Sequence, residues 1–172
     1  LKGCEYKVMP DRVEAGTFLI AAAITRSEVS LFPCEPKHLQ AVMNKLEICG
    51  CKFEYSRKIL RIIPDQILNS VNITTGPFPG FPTDLQAPFM ALMATANGTS
   101  KIKETVFENR MHHVKELNRM GANITVKDNI ATVVGVKNLQ GTVVVGTDLR
   151  ATAALALAGL SANGKTTVSY TH

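Results

Sequence analysis

The chain lacks the features that mark several broad classes of protein. No apolar run among its 172 residues approaches the ~18–20 residues that a membrane span requires. No cationic segment followed by an apolar one stands at its start, so we expect no signal peptide. The chain begins with Leu1 and ends at His172, soon after a strand-like run, and we expect both ends to be cuts.

Positive charge is modest and dispersed. The 19 Lys and Arg residues against 14 Asp and Glu give a net charge of +5, without the dense basic run of a nucleic-acid surface. We therefore expect no nucleic-acid partner. Most of these side chains are expected to be solvated surface, with a modest attraction for small anions.

Cysteine is scarce and poorly placed for metal binding. The four cysteines are Cys4, Cys34, Cys49 and Cys51. The last two are too close for a zinc knuckle, and a second pair is absent. We expect reduced, mostly buried thiols in a reducing compartment, with no metal and no cofactor.

What the chain does contain is an internal repeat of about 70 residues. Copies span residues 5–64, 70–136 and 141–172, the last incomplete, within one domain fragment covering residues 1–172. Each copy has the order βαβαββ, which predicts a mixed α/β fold with units around buried helices. Hydrophobic residues make up 45% of the chain, enough to form a core.

The pattern of apolar residues predicts the individual elements. Strands are expected at residues 6–9, 28–31, 52–55, 59–63, 71–74, 100–102, 123–126, 130–134, 142–145 and 166–168. Helices are expected at 14–25, after Pro36, from Asp84, from about 109, and from about 149 to 160. The predicted buried faces are Leu39, Val42, Met43 and Leu46; Leu85, Phe89, Leu92, Met93 and Ala96; Val114 and Leu117; and Leu149, Ala153, Ala156, Leu157 and Leu160.

Each copy opens its first helix with an acidic residue after a turn. These residues are Asp11, Asp84 and Asp148, and as N-caps each is worth ~1 kcal/mol. Thr83 and Asp84 follow a Pro/Gly turn at residues 79–82, and both are good N-caps for the helix that begins there. If the units share a centre, three helix N-termini point to one region, which favours an anion there.

Five segments resemble one enzyme family. Residues 79–87 (PGFPTDLQA), 104–110 (ETVFENR) and 147–151 (TDLRA) are similar to signature segments of UDP-N-acetylglucosamine enolpyruvyl transferases, and residues 10–18 (PDRVEAGTF) and 116–122 (ELNRMGA) look like the same family. The resemblance implies the enolpyruvyl transferase fold, an inside-out α/β barrel domain. About two and a half of its βαβαββ units are present.

The resemblance also implies a reaction. The family transfers enolpyruvyl from phosphoenolpyruvate to the 3′-hydroxyl of UDP-N-acetylglucosamine and releases phosphate. This is the committed step towards peptidoglycan, so a cytoplasmic role in cell wall biogenesis, cell shape, the cell cycle and division is implied. Addition to the enol ether is followed by elimination, and both steps need acid–base groups and cations.

Residues acquire roles through the same resemblance. Asp84 matches the proposed base for the sugar hydroxyl, although a helix dipole would lower its pKa. Val106 matches a residue whose backbone contacts the nucleotide sugar. Thr83 and Phe107 lie beside these contacts.

Two arginines and a second aspartate complete the predicted site. Arg150 matches an arginine that helps bind the phosphoenolpyruvate carboxylate. Asp148 resembles a residue near the reacting centre, with a capping role as an equal alternative. Arg110 is expected to form a structural ion pair, or to place Glu108 or its loop.

Several family features are missing. The lysine–asparagine pair, the phosphate-binding arginine and the reactive cysteine loop belong to the other domain, and a further arginine would fall beyond His172. We therefore expect this chain alone to be inactive. The alternatives are a 5-enolpyruvylshikimate-3-phosphate synthase-type enzyme, which the segment FENR argues against, and a non-catalytic domain that keeps the fold.

Overall fold

The computed structural model describes residues 2–170. The prediction about His172, and the last two residues of the third copy, lie outside this range. Within it, no helix is both long and apolar enough to cross a membrane. The helices are α1 (Arg12–Thr25), α2 (Gln40–Cys49), α3 (Gln86–Met93), α4 (His113–Arg119) and α5 (Leu149–Ser161), with short 3-10 turns at Pro36–His38 and Thr83–Leu85.

Nine strands form three separate sheets within the described range. The strands are β1 (Val29–Leu31), β2 (Cys51–Ser56), β3 (Ile59–Pro64), β4 (Ile73–Thr74), β5 (Thr99–Lys103), β6 (Asn123–Lys127), β7 (Ile130–Val134), β8 (Val143–Gly146) and β9 (Thr167–Tyr170). The sheet orders are β1-β3-β2, β4-β5-β7-β6 and β8-β9. The first is antiparallel, β4 pairs parallel with β5, and β8 pairs parallel with β9. The second copy therefore shows the complete predicted order, βαβαββ.

The helices that open the three copies form the centre of the fold. Helices α1, α3 and α5 pack against one another. Every residue of α3 is buried, so the predicted one-sided stripe understates its burial. An all-apolar helix surface requires such a central position. Phe89 of α3 meets Phe81 edge to face, with ring centroids 5.2 Å apart.

The ends of these helices meet at one side of the fold. Arg12, at the start of α1, lies over the ring of Phe78, with 5.0 Å from Cζ to the centroid. Asp84, just before α3, binds Arg150 in the first turn of α5. The starts of α3 and α5 therefore meet, and the start of α1 lies beside the loop that leads to α3.

The first predicted strand is wrong. Residues 6–9 have no regular secondary structure, and Tyr6, Val8 and Met9 are exposed. A strand needs a neighbour for its N–H and C=O groups. No described strand pairs with this segment, since β1 pairs only with β3.

The predicted buried face of α5 is also wrong in part. Leu149 and Leu160 are exposed, and the buried residues of α5 are Ala151, Ala154, Leu155, Leu157 and Ala158. Helix α5 packs against α1, α3 and α4, and small side chains suit such close contacts. The predicted faces of α2 and α4 are buried as expected.

Helix α4 begins later than predicted, at His113 rather than about residue 109. The preceding residues form a loop whose backbone N–H groups at Val106 and Phe107 bind the Glu104 carboxylate. Asn109, at the predicted start, has φ +54°, a left-handed conformation that a right-handed helix excludes.

Three of the four cysteines are buried and all are free. Burial raises the pKa of Cys49 to about 11 and that of Cys51 to about 12. Cys49 Sγ donates to the carbonyl oxygen of Asn69 at 3.0 Å. These thiols are therefore protonated at neutral pH, which suits the predicted structural role.

A close backbone contact at Gly135 generates a test of this packing. Its N–H donates to the Gly98 carbonyl oxygen at 2.9 Å, and a Cβ here would overlap the carbonyl group of Ala96. Gly135→Ala should lower the free energy of unfolding by about 2–3 kcal/mol. Urea unfolding measures this loss.

Gly3→Ala is the matched control, because a Cβ at Gly3 has no neighbour within 4 Å. Its effect should stay within about 0.5 kcal/mol. Equal unfolding midpoints for the two variants would contradict the close contact at Gly135.

Candidate functional site

Three distant segments bring charged side chains together where α3 and α5 begin. Asp84 lies in the 3-10 turn Thr83–Leu85, directly before α3. Arg110 comes from the loop between β5 and α4, and Arg150 from the first turn of α5. The two arginines are 26 and 66 residues away from Asp84. Only packing of the second and third repeat copies assembles this cluster.

The Asp84 carboxylate is shared between the two arginines through a single oxygen. Oδ1 accepts a hydrogen bond from Arg110 Nη2 at 3.2 Å and another from Arg150 Nε. The Asp84 side chain is 31% exposed and that of Arg110 only 17%. Charge-assisted bonds of this kind are among the strongest in proteins. Asp84 Oδ2 makes no hydrogen bond to any residue within 2–170, so it is available to a ligand.

This environment determines the charge of Asp84. Burial raises its pKa, but the hydrogen bonds and charges of Arg150 and then Arg110 outweigh burial, so the pKa is lowered. Asp84 is therefore ionised at neutral pH. Two arginines against one carboxylate leave a local excess of positive charge, which favours an anionic ligand.

The predicted capping role of Thr83 and Asp84 is wrong. Neither the 3-10 turn nor α3 has a side-chain cap. Asp11 and Asp148 do cap their helices, each accepting two backbone N–H bonds. Asp84 differs because it sits inside its turn and turns its carboxylate to the arginines.

Thr83 and Phe107 hold Arg110 in place. Arg110 Nη1 donates to Thr83 Oγ1 at 2.7 Å, and its Cζ lies 4.5 Å from the centroid of the Phe107 ring. A planar guanidinium suits both a hydrogen bond and an aromatic face. The expected ion pair of Arg110 is therefore present, and its partner is Asp84.

Asp148 lies at the start of α5 as a helix cap. Its Oδ1 accepts from the backbone N–H of Arg150 at 2.8 Å and of Ala151 at 3.0 Å. Burial raises its pKa, but these two bonds, together with His113 and Arg110, outweigh burial, so the Asp148 pKa lies below its usual value. Asp148 thus fixes the backbone from which Arg150 extends.

Val106 and Phe107 form the exposed part of the loop before α4. Their N–H groups already bind Glu104 Oε1, at 2.8 and 3.2 Å. A ligand at Val106 would therefore use its carbonyl oxygen. A cavity of about 850 Å³ lies against this loop and reaches Arg110 and Lys115, but Asp84 and Arg150 do not line it.

Glu104 is a functional candidate that sequence reasoning passed over. It is 2% exposed and holds both the loop and Thr83. Alternation along β5 buries Ser100 and Ile102, and Glu104 follows on the same face. The alternating pattern of β5 predicts that the side chain at position 104 is buried. A carboxylate at such a position was the signal in the sequence that could have identified Glu104.

His113 is a second residue that the sequence did not single out. It is 3% exposed, and its Nε2 has no hydrogen-bond partner. Burial lowers its pKa to about 4; Asp148 opposes this, while His112 and Arg110 add to it. The ring is therefore neutral at pH 7, directly behind the site.

Among residues 2–170, no cluster of His, Cys, Asp and Glu could hold a metal ion.

A family comparison fits this arrangement. The sequence model of the EPSP synthase (3-phosphoshikimate 1-carboxyvinyltransferase) family matches residues 1–172. The chain belongs to this family. Two curated relatives show the range of similarity, at 62% and 55% identity to this chain. UDP-N-acetylglucosamine 1-carboxyvinyltransferase 2 of Prochlorococcus marinus is 62% identical over 168 residues, which are 98% of this chain and 39% of the relative. The chain thus spans about 39% of such relatives.

Solved structures agree on the fold. The enolpyruvyl transferase NikO from Streptomyces tendae superimposes with a TM-score of 0.81 at 27% identity, over 94% of this chain and 39% of NikO. EPSP synthase from Acinetobacter baumannii gives 0.71 at 16% identity, over 97% and 40%. The second likeness shows the fold alone.

The shared carboxylate predicts a measurable titration. Arg150→Gln removes the charge that most lowers the Asp84 pKa, so that pKa should rise. NMR titration of the Asp84 carboxyl carbon measures the midpoint. Arg61→Gln is the control, because Arg61 pairs with Glu28 and Glu54 on the surface. An unchanged Asp84 midpoint in Arg150→Gln would contradict the ion pair.

His113 should resist protonation in the folded protein. Its folded pKa lies below that of the unfolded chain, so the unfolded state binds the proton first and stability falls below about pH 6.5. The ring NMR signals of His113 should stay constant from pH 8 to pH 5. Titration of His113 near pH 6.5 would show that it is not buried.

Proposed function

We propose that this chain forms one side of the substrate cleft of a UDP-N-acetylglucosamine enolpyruvyl transferase. The supporting observation is the ionised Asp84 carboxylate, held by two arginines with one oxygen free. Relatives of 55% to 62% identity bear the name of that activity. Because the chain spans about 39% of them, the remainder of the cleft must come from elsewhere.

In this proposal Asp84 receives the 3′-hydroxyl of the sugar on Oδ2. The hydroxyl oxygen attacks the central carbon of phosphoenolpyruvate while an acid outside this chain protonates the methylene. A lowered pKa makes Asp84 a weak base, so it takes the proton as the new C–O bond acidifies the hydroxyl. Loss of phosphate and of a methyl proton then restores the double bond.

Arg150 is proposed to bind the phosphoenolpyruvate carboxylate. Only its Nε is engaged, by Asp84, and its two Nη groups make no hydrogen bond within the described residues. A guanidinium presents such donors in a planar fork that matches a carboxylate. Arg150 therefore joins the base and the second substrate.

The remaining predicted residues supply support and sugar contacts. Val106 offers its carbonyl oxygen to the nucleotide sugar, with Phe107 beside it. Arg110 and Thr83 orient Asp84, and Asp148 anchors the backbone at Arg150 near the reacting centre. The proposal needs no cofactor, metal, nucleic acid or membrane. It places the enzyme in the cytoplasm and in peptidoglycan synthesis, hence in cell wall biogenesis, cell shape, the cell cycle and division.

A chimera tests the proposal directly. This chain replaces the matching segment of the Prochlorococcus marinus relative, and phosphate release is measured with phosphoenolpyruvate and UDP-N-acetylglucosamine. The chimera should be active, and Asp84→Asn should lower its kcat by about 10²–10⁴-fold. The chain alone should release no phosphate above the blank.

Controls separate the alternatives. Asp11→Asn makes the same chemical change at a helix cap, where Asn also caps well, and should keep kcat. The family name, 3-phosphoshikimate 1-carboxyvinyltransferase, makes shikimate 3-phosphate the second acceptor to assay; activity with that acceptor instead would support the shikimate-type alternative. An Asp84→Asn chimera with normal turnover would remove Asp84 from its role.

A further inference from the structure

Glu104 is a buried carboxylate at the junction of the two site segments. It follows β5 directly and is 2% exposed. Its backbone N–H donates to the Asn129 carbonyl oxygen at 2.9 Å, and its own carbonyl accepts from Asn129 Nδ2 at 2.8 Å. These two bonds to Asn129 hold the backbone of Glu104 in place.

The two carboxylate oxygens of Glu104 serve different segments. Oε1 accepts from Thr75 Oγ1 at 2.7 Å and from the N–H groups of Val106 and Phe107. Oε2 accepts from Thr83 Oγ1 at 2.9 Å. One side chain therefore ties the loop before α4 to the turn that carries Asp84.

The bond to Thr83 also determines the direction of the next bond. The Thr83 hydroxyl has one proton, and the Arg110 guanidinium can only donate, so that proton points to Glu104 Oε2. The Thr83 oxygen is then free to accept from Arg110 Nη1 at 2.7 Å. Arg110 in turn binds Asp84 Oδ1 at 3.2 Å.

We propose that Glu104 is a positioning residue for Asp84, acting through Thr83 and Arg110. The inference rests on the proposed function for its catalytic meaning. The structural role of Glu104 is independent of that function, because Glu104 orients the Thr83 hydroxyl and so fixes Arg110 beside Asp84.

Glu104→Gln separates the two roles of the side chain, which are to hold the loop before α4 and to orient Thr83. Three donors at the Oε1 position retain the amide oxygen there, so the loop keeps its bonds. The amide NH₂ then faces Thr83 and donates to it, so the Thr83 proton loses its acceptor and the hydroxyl reorients toward Arg110, which offers only donors. The fold should survive while Arg110 loses its fixed position.

The first readout is the Asp84 carboxyl titration in this chain, followed by NMR. Glu104→Gln should raise the Asp84 pKa, because Arg110 no longer stays beside the carboxylate. Thr83→Val should raise it similarly without touching the loop, and Thr83→Ser, which keeps the hydroxyl, should leave it unchanged. This readout is independent of enzyme activity.

The second readout is turnover in the chimera. Glu104→Gln should lower kcat about tenfold or more, change KM less than kcat, and move the acidic limb of the kcat–pH profile upward. The double variant with Thr83→Val should lose no more than the larger single loss, because both changes break one linkage. Glu47→Gln, an exposed carboxylate on α2, is the matched control and should keep kcat.

The outcomes distinguish the two proposals. An inactive parent chimera refutes the proposed function, while the Asp84 titration still decides the role of Glu104. An unchanged Asp84 midpoint in Glu104→Gln and Thr83→Val, or losses of kcat that multiply in the double variant, would overturn the positioning role. If Glu104→Gln fails to fold, Thr83→Val against Thr83→Ser decides the same question.

Discussion

The ion pairs of Asp84 with Arg110 and Arg150 are the interaction that the other contacts of the site support. They join the turn before α3, the loop before α4 and the start of α5 through one carboxylate oxygen. Neighbouring residues each restrain one member. Thr83 and Phe107 hold Arg110, while Asp148 caps the helix that carries Arg150. An ionised carboxylate with its second oxygen free is the result.

The rest of the fold makes that contact possible by bringing helix starts together. Helix α3 is buried on all sides because α1 and α5 pack against it. Because the centre is apolar, the charged side chains of the site lie at the helix ends. Asp84 and its two arginines thus lie at one end of a tightly packed core, partly exposed to solvent.

Much of the fold was predictable because the signals are local. Apolar spacing located all five helices, and alternation located the strands of the second copy. The strand at residues 6–9 failed because pairing needs a partner that no local pattern can supply. The face of α5 failed because its contacts are with helices, which bury small alanines, while Leu149 and Leu160 remain exposed.

The sequence by itself determined the repeat, most of the elements, the helix caps at Asp11 and Asp148, and the segments that resemble a family. Those properties depend on residues within a few positions of one another. Only the tertiary structure decided that Asp84 is no cap, that Arg110 pairs with it, and that Glu104 joins the two segments. These contacts link residues more than 20 positions apart, and hydrogen-bond direction and charge select among partners only after packing has brought them together.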